Sequence, residues 1–327
     1  MKKIMNSPDT FVDEMLDGLV AAHPGMVREG RVIRAAHAPR KGKVGIVSGG
    51  GSGHMPLFTG YVGKGLLDAC SIGDVFCGPS VDDCVKAIHA ADGGRGVLKL
   101  YGNYGGDKMN FELAGEMTEM DGVENTSVRG TDDIASGSPD ESDKRRGVAG
   151  ITFAFKIAGA KADQGADLAE VTATAAAAVA ACRTIGVALY PCQIPGAAAP
   201  TFSIGDDEIE MGMGIHGEPG IWRKPLVTAD ALVDEMIQRL LADPVPNPSS
   251  RMAVLVNSLG ATPYEELFII YRRVAQQLGK AGIHIVFPKV GHYATSMEMA
   301  GMSISLLHLT PEFETLLAAP SDCPFWR

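Results

Sequence analysis

Four short runs dense in Val, Ile and Leu constrain this chain most: "KVGIVS" (43–48), "GVLKLY" (96–101), "RMAVLVN" (251–257) and "IHIVFP" (283–288). Their length and composition predict buried strands. Amphipathic patterns lie between them. "SPDTFVDEMLDGLVAA" predicts a helix with Ser7 as N-cap, Pro8 at the first position, and Phe11, Met15, Leu19 and Val20 along one face. "TPYEELFIIYRRVAQQLGKAG" sets Thr262 and Glu265 at capping-box spacing, with Pro263 between them and Gly282 beyond the end. Alternation of strand and helix argues for an α/β fold.

A chain of 327 residues with 46% hydrophobic composition has room for two domains with real cores. The alanine-rich tract 166–181 predicts a close-packed helix, and the proline-marked stretch "GVALYPCQIPGAAAP" follows it. That shift places the expected boundary near residue 186, giving domains 1–185 and 186–327. The polar segment "TDDIASGSPDESDKRRG" (131–147) reads as a mobile loop. A net charge of -10 argues against a nucleic-acid partner or an anionic membrane. None of the six cysteines forms a C-x-x-C pair, so no metal or redox site is expected. "MKKIMNSPDTFVDEML" has no apolar run after its lysines, and unpaired thiols suit a reducing compartment, so a cytoplasmic protein is expected.

Three glycine-rich stretches could carry chemistry. "VSGGGSGHMP" (47–56) follows the first strand and presents His54. Its spacing fails both G-x-G-x-x-G and the P-loop pattern, which removes a nicotinamide dehydrogenase from consideration. "LYGNYGGDKMNFE" (100–112) follows the second strand, with Asp107 at the mouth of the next helix as either an N-cap or a base. Ligands of open α/β sheets bind beyond the carboxyl ends of strands, where both stretches fall. "MGMGIHGEPG" (211–220) holds one imidazole, His216, on a glycine-framed loop. His292, in "VGHYATSMEMAG", receives no role, and spacing does not say which way Lys99 points.

"SGGGSGH", "GYVGKGLLDA", "NYGGDKMNFE", "RRGVAG", "RTIGVAL", "DDEIEMGMGIHGEPG" and "GHYATSMEMAG" together resemble the substrate-binding subunit of dihydroxyacetone kinases. The resemblance runs from about residue 44 to residue 306. It implies two α/β domains, a homodimer, and a short-chain ketose held as a hemiaminal on His216. It implies His54 and Asp107 as the catalytic pair, with Gly51, Ser52 and Gly53 contacting substrate. Phosphate would come from ATP or ADP with Mg on a nucleotide-binding partner subunit, or through a phosphocarrier relay, with no cofactor on this chain. The chain departs from the family pattern at Gly102, where dihydroxyacetone-specific members carry lysine, and at Met55, Leu57 and Phe58 after the turn histidine. Those departures suggest a four-carbon ketose such as erythrulose. The alternative is a non-catalytic ketose-binding regulatory protein.

Overall fold

The computed structural model describes residues 2–326. In chain order the elements are α1 (Phe11–Ala22), β1 (Met26–Glu29), β2 (Val32–Ala35), β3 (Gly45–Gly51), β4 (Ala69–Gly73), α2 (Val81–Ala91), β5 (Val97–Gly102), α3 (Gly105–Met120) and β6 (Asn125–Gly130). They continue with α4 (Ile151–Asp163), α5 (Leu168–Ala180), β7 (Cys182–Tyr190), β8 (Glu208–Met211), β9 (Trp222–Pro225), α6 (Ala229–Ala242), β10 (Arg251–Ser258), α7 (Tyr264–Lys280), β11 (His284–Gly291), β12 (Ala300–His308) and α8 (Pro311–Ala318). All four expected strands form, as β3, β5, β10 and β11, and the fold is α/β, but β11 lies at the sheet edge and only its last residue, Gly291, is buried. No described helix is long and apolar enough to cross a membrane.

Two compact units result. The N-terminal unit comprises Lys2–Gly130, Thr152–Ala177 and the chain from Leu316 onward. The C-terminal unit comprises Thr131–Ile151 and Ala178–Thr315. Where the sequence suggests one boundary near 186, the chain passes between units at several points, one of them inside the alanine-rich helix α5.

In the N-terminal unit the sheet order is β1-β2-β4-β3-β5-β6, with β4, β3, β5 and β6 parallel. Side chains from α2 and α3, including Cys84, Ile88, Phe111 and Ala114, meet Val47, Val97 and Tyr101 in one apolar core. Helix α1 begins later than expected. Its N-cap is Thr10; Leu19 is buried as expected, but Val12 and Leu16 are buried in place of Phe11 and Met15.

In the C-terminal unit the order is β11-β10-β12-β7-β8-β9, and only β10 and β11 run parallel. Val233, Met236 and Leu240 of α6 and Leu267, Val274 and Leu278 of α7 cover this sheet with apolar surface. Thr262 makes no capping box. Its buried hydroxyl donates to Gly301 O at 2.7 Å and accepts from Gly301 N at 2.9 Å, tying the start of α7 to β12.

The polar segment 131–147 is not the mobile loop its composition suggests. Asp132 is buried and accepts from the N–H groups of Val148 (3.0 Å) and Gly150 (2.9 Å). Arg145 is 1% exposed and makes a two-pronged pair with Asp243 at 2.9 and 2.7 Å. Arg183 of β7 closes on the same carboxylate. Arg145 and Arg183 survive burial because each meets Asp243, whereas Asp132 is met by backbone N–H groups. Burial alone would raise the Asp243 carboxyl, but the two guanidinium groups outweigh it and lower it. Asp243→Ala strands two buried cations, and denaturant titration at neutral pH should show a loss of about 3–5 kcal/mol. Because the pair lowers the carboxyl, this contribution is complete above the ordinary value of about 3.9 and is lost as pH falls through the lowered one. An unchanged midpoint would remove the cluster from the stability of this unit.

Candidate functional site

In the N-terminal unit the glycine run is mostly strand. β3 extends through Gly51, pairing Gly49, Gly50 and Gly51 with Ser71, Ile72 and Gly73, and only 52–54 form a single 3-10 turn. Close approach explains the missing side chains. A Cβ at Gly50 would overlap the Phe58 ring, one at Gly51 would lie 2.8 Å from Phe76 Cα, and one at Gly53 would lie 2.5 Å from the Phe76 ring. Ser52 N–H donates back to Asp74 O at 3.3 Å, so this expected substrate donor is also used by the fold.

Phe58 and Phe76 both sit in the left-handed region, at φ 71° and 60°. Such a backbone costs on the order of 1–3 kcal/mol for a bulky residue, and persists where packing over-determines it. Phe76 then stacks on His54, ring centroids 5.0 Å apart at 27°, and His54 is 1% exposed. Leu57 and Phe58 are buried too, so the apolar residues after His54 back the strand end.

Asp107 is the third residue of α3, behind an N-cap at Tyr104 that makes no side-chain cap, so the N-cap reading does not hold. It is 8% exposed and lies where the helix's unpaired N–H groups favour an anion. A Cβ at Gly78 would come within 2.5 Å of Asp107 Oδ1. The segment 76–78 therefore borders both candidate residues, stacking on His54 at one end and abutting Asp107 at the other. Asn110 of α3 anchors it, donating to Pro79 O at 2.7 Å.

Lys99 faces the sheet–helix interface. Its ammonium is buried and donates to Phe111 O at 3.3 Å, and a Cβ at Gly115 would overlap it. Burial lowers its pKa against the opposing charge of Glu112. It does not replace an amine at position 102. Gly102 itself is buried at the end of β5, opposite Gly130 of β6, and its carbonyl accepts from Tyr104 N at 2.9 Å.

In the C-terminal unit His216 lies on the loop between β8 and β9. The loop folds on itself: Gly214 N donates to Glu218 O at 3.0 Å and Gly217 N to Gly214 O at 3.0 Å, with Gly217 at φ 85°. Glu218 grips the histidine twice. Its Oε2 accepts from His216 N at 2.9 Å, and its Oε1 lies 2.9 Å from Nδ1. Burial would raise this carboxyl, but the hydrogen bond and charge of His216 outweigh it and bring it down to about 2. An ionised carboxylate only accepts, so Nδ1 carries a hydrogen toward it, and in the neutral form of the ring the lone pair lies on Nε2. His292 packs edge-on against Tyr264, centroids 5.6 Å apart, away from this loop's hydrogen bonds.

Glu218 and Phe76 escape a reading by motif alone. Glu218 stands two residues from His216, a spacing that could have signalled an orienting partner, whereas nothing local marks Phe76. Among the described residues no group of three or more His, Cys, Asp or Glu is arranged to hold a metal ion.

A Dak1 domain family model matches residues 17–325. The chain is 42% identical over 329 residues to the dihydroxyacetone-binding subunit of PTS-dependent dihydroxyacetone kinase 1 from Listeria innocua, with all of both chains covered. It is 41% identical over 333 residues to L-erythrulose 1-kinase from Mycolicibacterium smegmatis, where the whole of this chain spans 58% of the relative. Among solved structures, the dihydroxyacetone kinase operon co-activator Dha-DhaQ matches with a TM-score of 0.90 at 31% identity, over 96% of this chain and 97% of that one. Matched from residue 17 to residue 325, and more than 40% identical over its own whole length to both relatives, the chain belongs to the Dak1 family.

Proposed function

We propose that this chain is the substrate-binding subunit of a ketose kinase, holding a short-chain ketose for phosphorylation at a terminal hydroxyl. The relatives named as a dihydroxyacetone-binding subunit and an L-erythrulose 1-kinase support the substrate class. The observation that carries the chemistry is the Glu218–His216 pair, which puts a nucleophilic lone pair on Nε2. Nε2 adds to the ketose carbonyl carbon, the π pair moves to oxygen, and that oxygen takes a proton. The ionised Glu218 carboxylate faces the positive charge that the new N–C bond places on the ring; the ring's Nδ1 proton leaves to solvent as the oxygen takes one from solvent, and the balance closes as a neutral hemiaminal. A polyol with no carbonyl is not captured.

Asp107 is the proposed base, accepting the proton of the terminal hydroxyl as its oxygen attacks the donor's phosphorus. His54, fixed by the Phe76 ring, orients that hydroxyl, with Gly51, Ser52 and Gly53 of the strand end and the turn after it lying against the substrate. The phosphoryl donor belongs to a nucleotide-binding partner carrying ATP or ADP with Mg, fed directly or by a phosphocarrier relay, and the chain works as a cytoplasmic homodimer. A second reading, a ketose-binding regulator without turnover, is favoured by the Dha-DhaQ likeness.

Asp107→Asn keeps the shape and removes the base. Ketose affinity should survive in calorimetry while turnover falls by roughly a hundred- to ten-thousand-fold. Wild-type turnover in this variant would take Asp107 out of the mechanism, and no turnover by the unaltered chain with any nucleotide-binding partner would favour the regulator.

Titrated alone with ATP and Mg, the chain should release no measurable heat, and phosphorylation should appear once a nucleotide-binding subunit is added. Micromolar ATP affinity of the isolated chain would reverse the division of labour.

Position 102 sets the expected selectivity. Glycine there removes a donor worth on the order of 0.5–3 kcal/mol to a ligand that used it, and leaves room for one more hydroxymethyl group. kcat/KM should favour erythrulose over dihydroxyacetone, and Gly102→Lys should move the ratio toward the three-carbon ketose. A clear wild-type preference for dihydroxyacetone would refute the four-carbon assignment.

A further inference from the structure

The segment 291–301, "GHYATSMEMAG", takes no part in the chemistry above, yet it is attached directly to the histidine loop. Ser296 is fully buried, and its hydroxyl donates to Ile215 O at 2.5 Å, the carbonyl that immediately precedes His216. The serine is itself immobilised. Its N–H donates to Leu259 O at 2.8 Å, and its carbonyl accepts from Met299 N at 3.0 Å. Met297 follows in the left-handed region at φ 52°, seated on Gly260, where a Cβ would overlap the Met297 carbonyl. A non-glycine residue stays there only because the surroundings over-determine it.

The buried Asn257 of β10 extends the chain of contacts into the sheet. Its Oδ1 accepts from the N–H groups of Tyr293 (2.8 Å) and Ala294 (2.9 Å). Its Nδ2 donates to Ala294 O at 2.7 Å and to Ser303 Oγ of β12 at 3.1 Å. Two paired central strands thus hold the turn, and the turn holds the residue before His216.

A second grip comes from the segment 131–147. Arg146 Nη2 donates to Gly212 O at 3.0 Å, its Nε donates to the buried Asp133 at 2.9 Å, and its Nη1 lies 3.8 Å from Glu218. A Cβ at Gly214 would overlap both the Arg146 and Glu218 side chains, so the guanidinium and the carboxylate rest on the loop's own backbone.

We propose that Ser296 and Arg146 are positioning residues for ketose capture: by holding the Ile215 and Gly212 carbonyls they present the His216 ring in one orientation. The inference rests on His216 being the ketose anchor. A loop with glycines at 212, 214, 217 and 220 samples many backbone states when free. Addition to a carbonyl needs the attacking nitrogen in one narrow geometry. Fixing two carbonyls of the run 212–216 removes that freedom before the ketose arrives.

The test compares Ser296→Ala, the double variant Asp133→Asn/Arg146→Met, and His216→Ala with the unaltered chain. The double change avoids stranding a buried carboxylate, and it carries the test if Ser296→Ala does not fold. Calorimetry with dihydroxyacetone and with L-erythrulose reads affinity. Imidazole 15N–1H spectra, assigned by the signal missing from His216→Ala, read the ring. Each positioning variant should bind ketose about ten-fold more weakly, with its His216 resonance shifted or broadened. Unchanged affinity, or weakened affinity with a wild-type His216 resonance, would overturn the proposal. If His216→Ala weakens binding and the positioning variants do not, only the positioning role fails. If His216→Ala itself binds ketose normally, the anchor reading fails and takes this inference with it.

Discussion

Charge buried only where a counter-ion or directed hydrogen bonds receive it is the constraint on which the C-terminal unit depends. Asp132, Asp133, Arg145 and Arg146 fall in one polar stretch, and all but Arg146 are nearly or wholly inaccessible. An isolated ion in such an interior costs several kcal/mol, so each residue dictates where its partner must stand. Arg145 requires Asp243 at the end of α6, and Arg146 requires Asp133 while reaching Gly212. The result is a rigid polar seam that fixes the beginning of the histidine loop. Apolar packing alone would leave that loop free to slide, because dispersion has no comparable directionality.

The N-terminal unit solves the same problem with shape. Two rings lie directly on main chain that has no Cβ, and one of them, Phe76, also stacks on His54. Both phenylalanines hold unfavourable backbone angles to do so. Strain of this kind clusters where a catalytic or binding geometry has to be held. The carboxylate of Asp107 is admitted to the same segment by Gly78, so the local backbone serves histidine and aspartate together.

Much of the fold was legible because strand composition and glycine punctuation are local signals. The four expected strands formed within a few residues of their predicted limits. Phase was harder. Phe11, Val12, Met15, Leu16, Leu19 and Val20 make two adjacent apolar stripes, and only the neighbouring elements decide which one turns inward. Thr262 had the spacing of a cap but found a better partner in Gly301, on a strand far along the chain. The segment 131–147 looked solvated because Arg145 meets its counter-ion 98 residues away, beyond the reach of any windowed pattern. For the candidate site, the glycine-framed histidines and the aspartate stood out as residues. Their supports, Phe76, Glu218, Arg146 and Ser296, are set by tertiary contact and leave little mark on local sequence.

Residue 102 has a consequence for how such proteins diversify. Its main chain enters the register with β6, and its carbonyl receives Tyr104 N–H. No side chain at that position takes part in the ladder, so exchanging one there leaves the strand's hydrogen bonding in place. Under the selectivity proposed for position 102, a single substitution at this strand end changes the ketose while the pairing with β6 stays in place. Ligand choice, as proposed, then rests on a side-chain position that the hydrogen-bonded ladder does not use.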